Sequence, residues 1–188
     1  MFVIGITKHC LLKVKLNTGD YFDQELLNKL RYWEAYYYAK NYMFALLSRR
    51  DHSMLELKQK GIKKGIPLST IEMVITEMNN KGYINEVVFV KNFAYDKFKL
   101  NHWGIHKIRI ELRKKGISNS IIQSALQTIS FNEKQEKLNH LFRKHYHKFK
   151  RIEAVKRRKK IFAFFYRKGY DSDTIKLSLS DWLIKLEA

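Results

Sequence analysis

The chain has 188 residues, with 37 Lys and Arg against 18 Asp and Glu, a formal net charge of +19. An apolar fraction of 45%, with 14% aromatics, excludes wholesale disorder despite that charge. A single proline, together with abundant Lys, Leu, Ile and Tyr, favours helices over a β-sandwich.

In chain order, Phe2, Val3 and Ile4, then Leu12, Val14 and Leu16, are β-branched or alternating and stop at Asn17-Thr18-Gly19-Asp20, a turn signal. A short β element is expected over residues 2–7 and 11–16. From Asp23 to about Arg49 the apolar residues Leu26, Leu27, Leu30, Trp33 and Tyr37 keep helical spacing. Ser53 with Glu56 forms a capping box for a helix at about 53–64, and Ser69 with Glu72 a second for 68–80. Asn85 is expected to cap 86–99 and Asn101 a helix running to Lys115. Ser118 opens 119–129, Asn132 a longer helix to about 150, and Asp171 or Ser172 the last one.

Self-similarity at long period is the most informative feature. Lys64-Gly65-Ile66, Lys115-Gly116-Ile117 and Lys168-Gly169-Tyr170 recur with glycines 51 and 53 residues apart. Aligned on those glycines, the position eight before is Leu57, Ile108 and Ile161, and six after is Ile71, Ile122 and Ile175. Ten after is Ile75, Leu126 and Leu179; thirteen after is Met78, Ile129 and Trp182. Steps of four and three trace one helical stripe. The fold predicted is mainly all-α. Three tandem three-helix repeats, sharing a core between neighbours, form an elongated, curved array behind a short N-terminal β element. The expected boundaries are 1–22 for the N-terminal arm, 23–84, 85–131 and 132–188.

The charge is concentrated. Residues 132–168 hold fourteen Lys and Arg against three acids, and 141–151 contain no acid at all. The densest set is Arg143, Lys144, Lys148, Lys150, Arg151, Lys156, Arg157, Arg158, Lys159 and Lys160, with Tyr146 and Phe149 interleaved. Like charges so unbalanced repel one another unless a polyanion neutralises them, and nucleic acid is the commonest such partner. Arg109, Arg113, Lys114 and Lys115 extend the candidate surface into the second repeat. Tyr146 and Phe149 are the candidates for base stacking, whereas Trp33, Trp103 and Trp182 fall on core stripes.

No phosphate loop, GxGxxG or HExxH motif is present. Cys10, the single cysteine, cannot form an internal disulfide, and no Cys–His cluster offers a zinc site. His102 and His106 are spaced four apart on an expected helix face, with His140, His145 and His147 nearby in sequence. Without a positioned carboxylate they read as a basic patch gaining charge below neutral pH, not as metal ligands. No cofactor and no catalytic set is expected. The longest apolar run, Ile161 to Tyr166, is far short of the roughly 20 residues of a membrane helix. Lys8 and His9 interrupt any signal-peptide core, so a soluble, cytoplasmic, monomeric protein without membrane contact is expected.

Against this background, Arg49-Arg50-Asp51-His52-Ser53-x-x-Glu56-Leu57-x-x-Lys60, followed by Lys64-Gly65-Ile66-Pro67, resembles the first repeat of the RecX regulatory proteins. Gly82-Tyr83-Ile84-Asn85-Glu86-x-x-Phe89 resembles that family's junction into repeat two, and Ile108-x-x-Glu111-Leu112-x-x-Lys115-Gly116-Ile117 its repeat-two core. Two departures stand out. Val87 and Val88 replace an acidic stretch and a basic residue, and Gly61 stands where the family usually carries leucine. The resemblance implies a modulator that lies along the RecA–DNA filament and suppresses its ATPase, strand exchange and coprotease functions, contacting single- or double-stranded DNA. The alternative left by the residues themselves is a non-specific DNA- or RNA-binding helical module without a recombinase partner.

Overall fold

A computed structural model of the chain describes residues 4–187. They form eleven α-helices and one π-helical turn, in two compact units divided between Glu86 and Val87. No strand occurs among the described residues. Of the expected β element, residues 2 and 3 lie outside them, and residues 4–7 carry no regular structure.

Residues 11–16 contribute instead to helix α1, Lys8–Val14. Thr7 decides this locally: its hydroxyl caps the Cys10 N–H, while its own N–H and hydroxyl both donate to the Glu34 carboxylate, at 2.9 and 3.1 Å. Cys10 is thereby buried against α2 (Gln24–Leu47), where its thiol donates to the Leu30 carbonyl. A helical cap and one tertiary anchor outweigh the weak strand pattern.

In the first unit α2 packs with α3 (Met54–Lys63) and α4 (Leu68–Asn80) around Met43, Leu57, Ile71, Val74 and Met78. The Ser53–Glu56 capping box forms as expected. Ser69 does not cap. The helix begins one residue earlier, after Pro67, whose fixed φ suits a helix start, and Glu72 pairs with Lys58 at 2.7 Å. Gly61 is buried, and a Cβ there would lie 2.8 Å from Ile71 Cδ1 and 3.0 Å from Met43 Cε. Its missing side chain is the room those two residues fill.

In the second unit α5 (from Glu86 to Tyr95) continues into a π turn, Asp96–Leu100, and packs with α6 (Ile105–Lys114) and α7 (Asn119–Gln127) around Val90, Phe98, Ile108 and Leu112. Helices α8 (Phe131–Lys144), α9 (Tyr146–Lys150), α10 (Ala154–Lys168) and α11 (Ser172–Glu187) enclose Phe142, Phe149, Ile161, Phe165 and Trp182. Each repeat therefore holds its own buried cluster, where the sequence pattern predicts one shared between neighbours. The aligned columns fall inside: Leu57, Ile108 and Ile161 are all fully buried, as are Ile71 and Ile175. Gly65, Gly116 and Gly169 each take a positive φ (81°, 78° and 92°), which a Cβ would strain. In each repeat the following apolar N–H reaches back to the helix, for example Ile66 to the Gly61 carbonyl and Ile117 to the Leu112 carbonyl. Each paired turn of this kind satisfies two helix-end carbonyls.

Two expected caps are corrected in this unit. Asn132 lies inside α8, which starts from a Ser130–Glu133 capping box and breaks at His145 instead of running on to residue 150. Asn101 does not cap α6, which begins at Ile105 after Gly104. The α6 amides are met from another repeat: Gly104 N–H donates to the Lys168 carbonyl at 2.8 Å, and His106 N–H to that of Gly169 at 3.0 Å.

Candidate nucleic-acid interface

Helix α6 buries Ile108 and Leu112 and turns its charges outward. Arg109 and Arg113, one turn apart, share a side with Ile105. All three line a cleft of about 580 Å³ formed with α7 and the first turns of α8. Asn119 holds Arg113 by accepting its Nε–H at 2.9 Å, which leaves the two terminal nitrogens of the guanidinium to project. Lys134 adds a third cation, and Gln123 and Gln127 stand beside Asn119 as carboxamides. Ile122, Leu126 and Ile129 complete the apolar part of the wall. No carboxylate lines the cleft, and none of its three cations makes an ion pair among the described residues.

The four basic residues singled out on α6 thus divide. Lys114 is paired with Glu111 at 2.8 Å, and that lysine, outweighing partial burial, holds the Glu111 carboxyl below its ordinary range. Lys115 lies over the Phe93 and Phe89 rings, at 5.4 and 6.0 Å. Only Arg109 and Arg113 enter the cleft. Lys134 is hidden in the sequence, because its neighbours Glu133 and Glu136 make its stretch of chain look neutral.

In the third repeat, Lys156, Lys159 and Lys160 are exposed on α10, away from buried Ile161 and Phe165, and helical spacing brings Arg167 into the same stripe. Lys156 meets Glu153 at 2.7 Å, a solvent-exposed pair that holds it weakly. Arg158 lies two positions from Lys156 and from Lys160, so it does not share their side of the helix. Arg157 turns back: Nε and Nη2 donate to the Ile152 carbonyl at 3.3 and 3.2 Å, and Nη2 also to that of Lys150 at 3.2 Å. It fastens the turn between α9 and α10. Arg143, Lys144, Lys148, Lys150 and Arg151 are exposed around the end of α8 and along α9, where cations also complement the helix C-termini.

The stacking candidates are corrected. Phe149 is only 2% exposed and stacks on Phe142 at 5.8 Å, inside the core. Tyr146 is half-buried with its hydroxyl donating to the Lys185 carbonyl at 2.8 Å. Trp182 is buried against Phe142, while Trp103 is half-buried with Lys107 at 4.2 Å over its ring.

His102 and His106 do not share a helix face. His102 precedes α6, adopts a left-handed φ of 54°, and lies 5.1 Å from the His140 ring, with its buried Nδ1 unpartnered. Burial, then Lys137, His140, Lys144 and Lys168, hold it below the ordinary histidine pKa; burial and Lys148, Lys168 and Lys144 do the same for His145. These two therefore resist the gain of charge expected of a histidine patch. Among the described residues no three His, Cys, Asp or Glu side chains group as metal ligands, and no helix is long and apolar enough to cross a membrane.

Three family models match the chain in order: RecX, first three-helix domain over residues 39–78, second over 85–126 and third over 132–177. Regulatory protein RecX of Clostridioides difficile strain 630 is 29% identical over 182 residues, covering 97% of this chain and 85% of that protein. Its counterpart in Legionella pneumophila strain Corby is 34% identical over 132 residues, 69% of this chain and 85% of the relative. Among solved structures, a crystal structure of regulatory protein RecX superposes with a TM-score of 0.79 at 19% identity, covering 94% of this chain and 86% of its own. RecX from Lactobacillus salivarius gives 0.64 at 21% identity, covering 83% and 96%.

Proposed function

The chain belongs to the RecX family of regulatory proteins, and from that premise we propose that it binds the RecA–DNA filament and restrains its ATPase, strand-exchange and coprotease activities. It acts in the cytoplasm as a monomer, by occupancy and not by catalysis. The observation that carries this reading is the set of cations that make no ion pair among the described residues: Arg109, Arg113 and Lys134 in one cleft, with Lys159, Lys160 and Arg167 along α10. Cations presented in this way suit a phosphate backbone or an acidic filament surface. Arg143, Lys144, Lys148, Lys150 and Arg151 add to the field, whereas Lys114, Lys115 and Arg157 are assigned to intramolecular contacts. The working domain boundaries are 23–84, 85–131 and 132–188.

The test is RecA ATPase on single-stranded DNA with substoichiometric amounts of this protein. A fall in hydrolysis rate and filament lifetime is expected; no change in either overturns the proposal. The second reading, a nucleic-acid-binding module without a recombinase partner, is favoured by the same cations. It is separated by RecA binding in the absence of DNA, which it does not predict.

A further inference from the structure

We propose that the cleft between α6 and α7 takes a single unstacked nucleotide of single-stranded DNA, phosphate at Arg109, Arg113 and Lys134 and base against the aliphatic wall. The inference rests on the DNA-binding function proposed above and goes beyond it in assigning a site that reads the base as well as the charge.

The composition of the cleft carries it. A site for phosphate alone needs donors and positive charge. Here three cations share the space with half-buried Ile105 and Ile129, which lie over the buried Ile122 and Leu126 and present apolar surface that a phosphate cannot use. Gln123 and Gln127 each present both a donor and an acceptor, the Asn119 carbonyl being committed to Arg113. A phosphodiester accepts but does not donate, so half of that hydrogen-bonding capacity fits only a ligand that does both. The edge of a nucleobase is such a ligand, and its faces are apolar enough to lie on aliphatic side chains. The volume of 580 Å³ falls in the range of about 300–1,000 Å³ usual for small-ligand sites. The fixed Nε of Arg113 orients its planar fork toward the cleft, the geometry in which arginine meets a phosphate in bidentate fashion or stacks on a base. Bases inside a duplex are already stacked and paired and cannot enter without being extruded. Single strands are therefore the fitting class.

The experiment measures fluorescence anisotropy of two labelled 12-nucleotide strands, one a mixed-sequence DNA and one with every base replaced by an abasic tetrahydrofuran unit. Charge and length are the same. The intact strand should bind at least about fivefold tighter, the effect of about one held base. Q123A/Q127A, two exposed positions whose melting should be unchanged, should shrink that ratio toward one. R109Q/R113Q should weaken both strands. Equal affinity for the two strands, both salt-dependent, overturns the nucleotide site and leaves the DNA-binding function standing. A base preference undiminished in Q123A/Q127A overturns it too, since bases are then read elsewhere. Oligoglutamate competing as well as the intact strand at equal charge concentration marks an anion site indifferent to bases, and likewise overturns the nucleotide site. Failure of both strands to bind at any salt concentration removes the DNA-binding function itself, and the site with it.

Discussion

Gly104 and Gly169 meet backbone to backbone: a Cβ built on Gly104 would stand 2.1 Å from the Gly169 carbonyl oxygen, and one on Gly169 2.3 Å from Lys107 Cβ. The C-terminal end of α10 thereby caps the N-terminal end of α6, a head-to-tail arrangement in which unsatisfied amides meet unsatisfied carbonyls and the helix dipoles attract. The second and third repeats are joined through main chain at a point where no side chain fits.

Gly104→Ala tests that joint. Gly104 has an ordinary φ of −74°, so its cost is steric and not conformational. The expected loss is at least about 2 kcal/mol in urea unfolding, because the obstructing atoms are backbone and cannot swing aside. Gly82→Ala, where φ is +74° and nothing lies within 4 Å, should cost about 1 kcal/mol. Equal losses would mean that the joint yields.

Acid should weaken the first unit through Glu77. Its carboxylate accepts from Lys81 at 2.6 Å, from the Tyr36 hydroxyl and from Lys40 at 2.9 Å, and these bonds hold its pKa down to about 2 from 4.5. The folded state thus favours the ionised form. Its stabilisation is complete above pH 4.5 and disappears as pH falls toward 2. Glu77→Gln should lose roughly 1–2 kcal/mol at pH 7, allowing for solvent screening of a quarter-exposed group. Its melting curve should converge with the parent's near pH 2; a constant gap between the two down to that pH would contradict this.

His102 gives the second unit an acid response of its own. The folded protein holds it neutral, so stability is highest above its unfolded value of 6.5 and falls as pH drops below that. The groups around it are His140, Lys137, Lys144 and Lys168, all positive or able to become so. Asparagine tolerates the left-handed φ and cannot titrate. His102→Asn should therefore flatten the decline in urea midpoint between pH 6.5 and 5, with little change at pH 8. An unaltered slope would assign that decline to other groups.

On α10 the basic residues should separate by role. K156E/K159E/K160E should lower the slope of log affinity against log salt for DNA by about three contacts' worth, near 0.7–0.9 each. The same reversals at Lys8, Lys13 and Lys15 should change it far less. Arg157→Ala should leave that slope almost intact and instead cost about 1 kcal/mol of stability, by releasing the Lys150 and Ile152 carbonyls. A salt slope that falls as far in Arg157→Ala as in the triple variant would remove the distinction.

What the sequence makes legible follows physical range. The repeat register depends on period and on a glycine that must adopt a left-handed turn, both visible locally, and every aligned column from Leu57 to Trp182 lies in or against the core. The N-terminal helix is not legible, because Thr7 is recruited by Glu34, far along the chain. Nor is the true cap of α6, which belongs to Gly169. Within the site, Arg109 and Arg113 can be found from their one-turn spacing. Lys134 cannot, since only packing brings it to α7. Tyr146 and Phe149 mislead for a related reason: alternation with lysine marks an amphipathic helix as readily as a stacking surface, and the core claims Phe149.

Because the main-chain turn at Gly65, Gly116 and Gly169, with one buried apolar residue after each, fixes each exit direction, most of each outer face is released from architectural demand. Copies of such a module can drift apart in what they display while remaining interchangeable in how they are built. A moderately charged first copy and a heavily cationic third can then descend from one ancestor without either having to reinvent its scaffold.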